Sequence, residues 1–186
     1  MSNLMPFDEI SALAAKGEAL KSPDRAKKKE EVDKYIDEVA DLFVLAYVFG
    51  TADANMQLGS GVKPDLTEMR SVIEQKYDGK GFRDRLREYI QGGTEYDIRR
   101  VIETDAHRVY NAALYTGAKK AGATRKTWQT MQDDRVRDTH DYLQGVTVGI
   151  DDEFYSYKGG STLYPGQWGI AEEDCACRCW VTFSKL

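Results

Sequence analysis

The chain has 186 residues, enough for one domain of ordinary size or one domain with a helical extension, and too few for two catalytic domains. With 41% hydrophobic and 31% charged residues it can bury a core beneath a strongly solvated surface, which excludes disorder throughout. Its 26 basic and 31 acidic residues leave a net charge of −5, so no global field draws phosphate backbones and any nucleic-acid contact must be local.

Met1 to Pro6 lacks a basic start followed by an apolar block, so no secretory signal is expected. Phe7 to Lys21 reads as a helix that stops before Ser22-Pro23, because a residue preceding proline is pushed out of helical geometry. After the charged segment Lys27 to Glu31, the apolar residues Val32, Tyr35, Ile36, Val39, Leu42, Phe43, Ala46 and Phe49 fall on one stripe and predict an amphipathic helix. The longest apolar stretch, Leu42 to Phe49, is short of the ~20 residues a membrane span needs, so no membrane partner is expected. Asp65, with Glu68 three positions on, predicts an N-cap for a helix running to about Tyr77 and ended by Asp78-Gly79-Lys80-Gly81. A short helix from Phe82 to Ile90 stops at Gly92-Gly93. Thr94 caps another, whose Ile98, Val101, Ile102, Ala106, Val109, Tyr110, Ala113 and Gly117 keep the helical period for about six turns.

Beyond Gly122 the pattern changes. Trp128 to Gly145 is mixed and charged, with a short helix possible over Arg137 to Leu143. Val146 to Ile150, Phe154 to Tyr157 and Cys177 to Phe183 are β-branched or aromatic runs bounded by turns, and read as strands. Gly159 to Gly166 reads as loop. The expected fold class is therefore α+β: a helical region over 1–93, then a small mixed module over 94–186 with short antiparallel strands.

Three features converge in that module. The first is the run Asp133-Asp134-Arg135-Val136-Arg137-Asp138, whose alternating charges can make bidentate hydrogen bonds that lock an irregular loop. The second is His140, which as a general base would anchor a nuclease or toxin-like enzyme, although no nucleophile elbow, phosphate loop or second histidine at metal spacing accompanies it. His107 reads as a helix-face residue. The third is the triplet Cys175, Cys177 and Cys179. Residues two apart on a strand have alpha carbons about 6.6 Å apart, near the upper limit for a disulfide, so a Cys-x-Cys bridge would be strained. Cys177 and Cys179 with His140 form the economical zinc site, with Cys175 or an acidic side chain as fourth ligand; the alternative is a packed thiol cluster. Lys119, Lys120, Arg125 and Lys126 form a basic stretch that could contact double-stranded DNA, or simply complement a helix C-terminus.

The order and spacing of these residues resemble the C-terminal module of the phage Mu F-like minor head proteins, the phage head morphogenesis family. The resemblance runs over about residues 98 to 180. It is carried by Lys126-x-Trp128, Asp133-x-Arg135-x-Arg137-x-x-His140-x-x-Leu143-x-Gly145, Phe154, Tyr164-Pro165-Gly166, and Ala171-Glu172-Glu173 leading to Cys177-Arg178-Cys179, with Glu103, Asn111 and Gly122 upstream. Two departures stand out: Ala176 occupies the place of the family's usual asparagine, and Gln167-Trp168 replaces Asp-Pro after the Pro-Gly.

The resemblance implies a structural virion protein of a tailed bacteriophage, not an enzyme. Such a protein is made in the host cytoplasm and sits in the phage head near the portal vertex, where it acts in head assembly, genome packaging or ejection. Its implied partners are portal, capsid or scaffolding proteins, engaged in the family through a helical N-terminal region. Some relatives append a toxin or ADP-ribosyltransferase domain; this sequence ends seven residues after Cys179, and no appended effector is expected.

Overall fold

A computed structural model describes residues 7–21, 25–77 and 79–185. The expected helix stop at Ser22-Pro23, the N-terminal Met1 to Pro6 and the turn residue Asp78 lie outside the described residues. Helix α1 covers Phe7–Ala19, α2 Arg25–Leu58, α3 Leu66–Ile73, α4 Phe82–Gly92 and α5 Glu95–Lys120. The small module follows as β1 Arg125–Gln129, α6 Asp138–Asp141, β2 Thr147–Gly149, β3 Phe154–Tyr155, β4 Ser161–Thr162, α7 Ala171–Asp174 and β5 Trp180–Ser184. This is the α+β architecture expected from the sequence.

The helix starts follow their caps. Asp65 accepts from the backbone N–H groups of Thr67 and Glu68, and Thr94 accepts from that of Asp97, while the Asp97 carboxylate accepts from the Thr94 N–H. Each arrangement satisfies donors that the first turn leaves without partners. Helix α3 ends at Ile73, earlier than expected.

Helices α2 and α5 form the spine. Over Lys29–Leu58, α2 is long and apolar enough to cross a membrane by length and composition, and half of its most apolar window is buried inside the molecule. Tyr35, Ile36, Val39, Phe43, Ala46, Tyr47 and Ala54 are all buried, so much of the helix's hydrophobicity belongs to the core. The two axes approach closely at Gly50, where a Cβ would stand 2.3 Å from the carbonyl oxygen of Tyr110. One hydrophobic core runs from Ile10 on α1 to Phe183 on β5, so segments 1–93 and 94–186 share it.

The sheet has order β2-β1-β5, antiparallel throughout, with Arg125 opposite Gly149 and Ser184 and Gln129 opposite Trp180. Strand β1 lies where the sequence shows only a basic stretch and a mixed segment. Its burial alternates, with Lys126 and Trp128 inward. The two-residue spacing of Lys126 and Trp128 is thus the period of a strand with one face in the core. A second pair, β3 and β4, is also antiparallel; β4 falls in the region expected to be loop.

Lys126 is fully buried. Its Nζ donates to the carbonyl of Ile150 at 2.9 Å and sits over the rings of Tyr115 and Phe154. Burial pushes its pKa down to about 8. Lys119 pairs with Asp151, and Lys120 with Asp65 at 3.0 Å and Glu68 at 3.3 Å. The basic stretch is therefore not a single exposed surface for DNA: one member is in the core and two face acids.

Candidate metal centre

Trp128, wholly buried, is the floor on which the site is built. Its indole meets Phe154, His140 and Trp168 edge-on at ring-centroid distances of 5.1, 5.5 and 5.9 Å, while Trp168 stacks on His140 at 5.8 Å. Leu143 is buried beneath the turn that closes when Trp128 N–H donates to the Val146 carbonyl and Gly145 N–H donates to the Trp128 carbonyl. Gly145 has φ of 77°, in the left-handed region that glycine occupies without penalty.

His140 projects from α6 into this aromatic cage and is 1% exposed. Its Nδ1 lies 3.6 Å from Cys177 Sγ and 3.5 Å from Cys179 Sγ, and its Nε2 lies 3.0 Å from Glu173 Oε2. Glu173, on α7, also accepts from Thr139 Oγ1 at 2.7 Å and Ser156 Oγ at 3.4 Å. Among the described residues, His140, Cys177 and Cys179 are the group of three whose donor atoms could hold one metal ion. The two thiols influence each other. The hydrogen bond with Cys179 pulls the Cys177 pKa down, with His140 adding to the effect, while the hydrogen bond with Cys177 and burial push Cys179 up.

Cys175, expected as an alternative fourth ligand, is not in the group. Ala176 has φ of 53°, which turns the chain between Cys175 and Cys177. Cys175 is left half-buried, with its carbonyl accepting from Arg137. Glu173 does not join the group as an acidic fourth ligand, since it faces the imidazole on the side of Nε2, the nitrogen remote from the sulfurs. The left-handed geometry at Ala176 would suit asparagine, because a short polar side chain tolerates positive φ better than alanine does.

The charged run behaves in part as expected. Asp133 receives Arg178 bidentately at 2.6 and 2.8 Å, and its carboxyl is held below the usual range chiefly by that hydrogen bond. Arg137 ties α6 to the cysteine loop through the Cys175 carbonyl. Arg135 is exposed and contributes its backbone N–H to Asp133 at 3.1 Å.

His107 lies on the face of α5, as expected, and it also reaches the residue before the last strand: its Nε2 donates to the carbonyl oxygen of Cys179 at 2.6 Å. Asn111 donates to the same oxygen at 3.4 Å. Pro165 and Gly166 are buried against α5; a Cβ on Gly166, whose φ is 87°, would approach Arg108 Cα to 3.1 Å.

Sequence reasoning misses the roles of Glu173, Asp105 and Arg108. Asp105 accepts from Arg108 at 2.9 Å and Arg85 at 2.8 Å, and Arg108 also donates to the Val72 carbonyl at 2.6 Å, all beneath the surface. Charged residues three apart within an apolar helical stripe are the available signal.

The family described as phage Mu protein F like protein matches residues 67–182, more than half of the chain, and the chain belongs to that family. The match begins upstream of the resemblance seen in the sequence and takes in α3 and α4. The chain is similar to the minor head protein GP7 of Bacillus phage SPP1, with 34% identity over 88 residues, 46% of this chain and 29% of that protein. It is also similar to the NAD(+)--arginine ADP-ribosyltransferase EFV of Enterococcus faecalis, with 32% identity over 116 residues, 59% of this chain and 23% of that protein. The matched segments span less than a third of the length of either relative. No solved structure matches the chain.

Proposed function

We propose that the protein is a minor head structural protein of a tailed bacteriophage, acting at the portal vertex in head assembly, genome packaging or ejection. The observation that carries this reading is the family match over residues 67–182. It is reinforced by the placement of the motif residues: Lys126, Trp128, His140, Leu143, Cys177 and Cys179 are all buried, where they hold α6, β1 and β5 together. A role for His140 as a general base fits poorly, because its ring is enclosed by two indoles and both its nitrogens face protein groups.

The surface for head partners would lie on α2. Leu45, Val48 and Met56 are exposed at helical spacing on the side turned away from the core, with half-buried Ala52 between them. A portal or capsid protein is the occupant that the family relationship suggests. The test is mass spectrometry of intact particles, combined with co-purification of tagged portal protein. The protein is expected in particles, and Leu45→Glu with Met56→Glu is expected to abolish co-purification while leaving the fold intact. Repeated absence from purified particles would overturn the reading.

A further inference from the structure

We infer that His140, Cys177 and Cys179 bind one zinc ion, which pins the start of the last strand to α6. The inference stands apart from the head-protein reading, since it concerns only the donors and their geometry.

The first argument is distance. Tetrahedral zinc, with Zn–S near 2.3 Å and Zn–N near 2.0–2.1 Å, sets each sulfur about 3.5–3.6 Å from the imidazole nitrogen. Cys179 and Cys177 stand 3.5 and 3.6 Å from Nδ1. Nδ1 has a single lone pair and can accept one S–H, so without an ion only one thiol bonds the ring and the other must turn to its neighbouring sulfur. A cation on that lone pair satisfies both.

The second argument is the tautomer. Glu173 Oε2 stands 3.0 Å from Nε2, and a carboxylate so close favours the proton on that nitrogen, which leaves Nδ1 bare towards the sulfurs. A carboxylate behind a histidine in this way is the usual outer partner of a metal-bound imidazole, fixing the ring and raising its basicity. The third argument is charge. Two thiolates and a neutral imidazole offset the two positive charges of zinc, so the ion with its three ligands adds no net charge to the cage beyond that of Glu173. Thiolate and imidazole donors also favour zinc over the oxygen-seeking magnesium and calcium. Among the described residues no further histidine, cysteine or carboxylate joins the group, so the fourth position falls to water or to a donor outside it.

The test is elemental analysis of the full chain purified without chelator, together with cobalt replacement. Wild type and Cys175→Ser are expected to carry about one zinc per chain, and Cys177→Ser and His140→Ala less than about a tenth of that. Cobalt-loaded wild type is expected to show thiolate-to-cobalt charge-transfer absorption in the near ultraviolet and the intense visible bands of four-coordination. If the variants fail to fold, the wild-type zinc content and cobalt spectrum decide alone. Folded wild type that takes up neither metal at micromolar concentration overturns the inference, as does zinc content that Cys175→Ser removes.

Discussion

The imidazole of His140 and the carboxylate of Glu173 face each other at 3.0 Å with both side chains almost wholly buried, one carried by α6 and the other by α7. Neither helix exceeds four residues, so neither is stable alone; their positions depend on this contact and on the aromatic cage around it.

Glu173→Gln tests that dependence. A glutamine can keep its oxygen towards His140 Nε2 and Thr139 and turn its amide to Ser156, but it removes the carboxylate charge that faces the imidazole. The variant is expected to lose about 1–3 kcal/mol of stability, read as a lower urea midpoint with unchanged slope. A midpoint equal to wild type would mean that the carboxylate does not fix the ring.

Ala176 supplies the opposite sign. Its φ of 53° costs an L residue with a Cβ roughly 1 kcal/mol, so Ala176→Gly and Ala176→Asn are each expected to raise stability by about 0.5–1 kcal/mol. Ala176→Val should lower it. Thermal melts of the three variants check the order, which would be reversed if the loop could relax out of this conformation.

Gly50→Ala separates packing from propensity. In an open helix interior the change gains about 1 kcal/mol. Here the new Cβ would stand 2.3 Å from the Tyr110 carbonyl and 2.9 Å from Ala113 Cβ, so α2 and α5 must part, and a net loss of about 1–3 kcal/mol is expected. Gly92→Ala, on α4 with open space around the added atom, is the control and is expected to be neutral or stabilising in the same thermal melts.

Lys126 makes stability depend on pH in an uncommon direction. Its pKa falls from 10.5 to about 8 on folding, so between those values the unfolded chain holds a proton that the folded chain has released. Stability contributed by this group therefore rises through that window, and the penalty of burying the cation is fully present below pH 8. Measured against Lys126→Met, wild type is expected to gain about 2 kcal/mol between about pH 7 and pH 10. A difference that stays constant with pH would show that the ammonium keeps its charge against Tyr115 and Phe154.

What is written locally is legible in the sequence. The stripes of α2 and α5, the caps at Asp65 and Thr94, and the β-branched run ending at Phe183 each carry their signal in adjacent residues, and all are present. The convergence of His140 with Cys177 and Cys179 is also readable, because residue type and two-residue spacing limit what such donors can do. Strand β1 is not, since an inward lysine breaks the apolar alternation, and only the rings of Tyr115 and Phe154 make its burial tolerable. Spacing alone groups Cys175 with the other two cysteines, because it says nothing of the positive φ at Ala176. Glu173 stands in the motif with no visible role, because its partners on α6 and beside β3 are remote in sequence. Gly50 carries no pattern either; its need for a bare hydrogen arises only when a second helix arrives.

Strand β5 starts one residue after the sulfur pair and ends against the long helix, where the Phe183 N–H donates to Gln57 Oε1 at 3.0 Å. A tilt of α2 imposed by whatever docks along it would tug on this tether and reach the sulfurs through a few residues of chain. The sulfur–imidazole knot is then an anchor point as well as a brace, holding the small sheet in step with any movement of the spine.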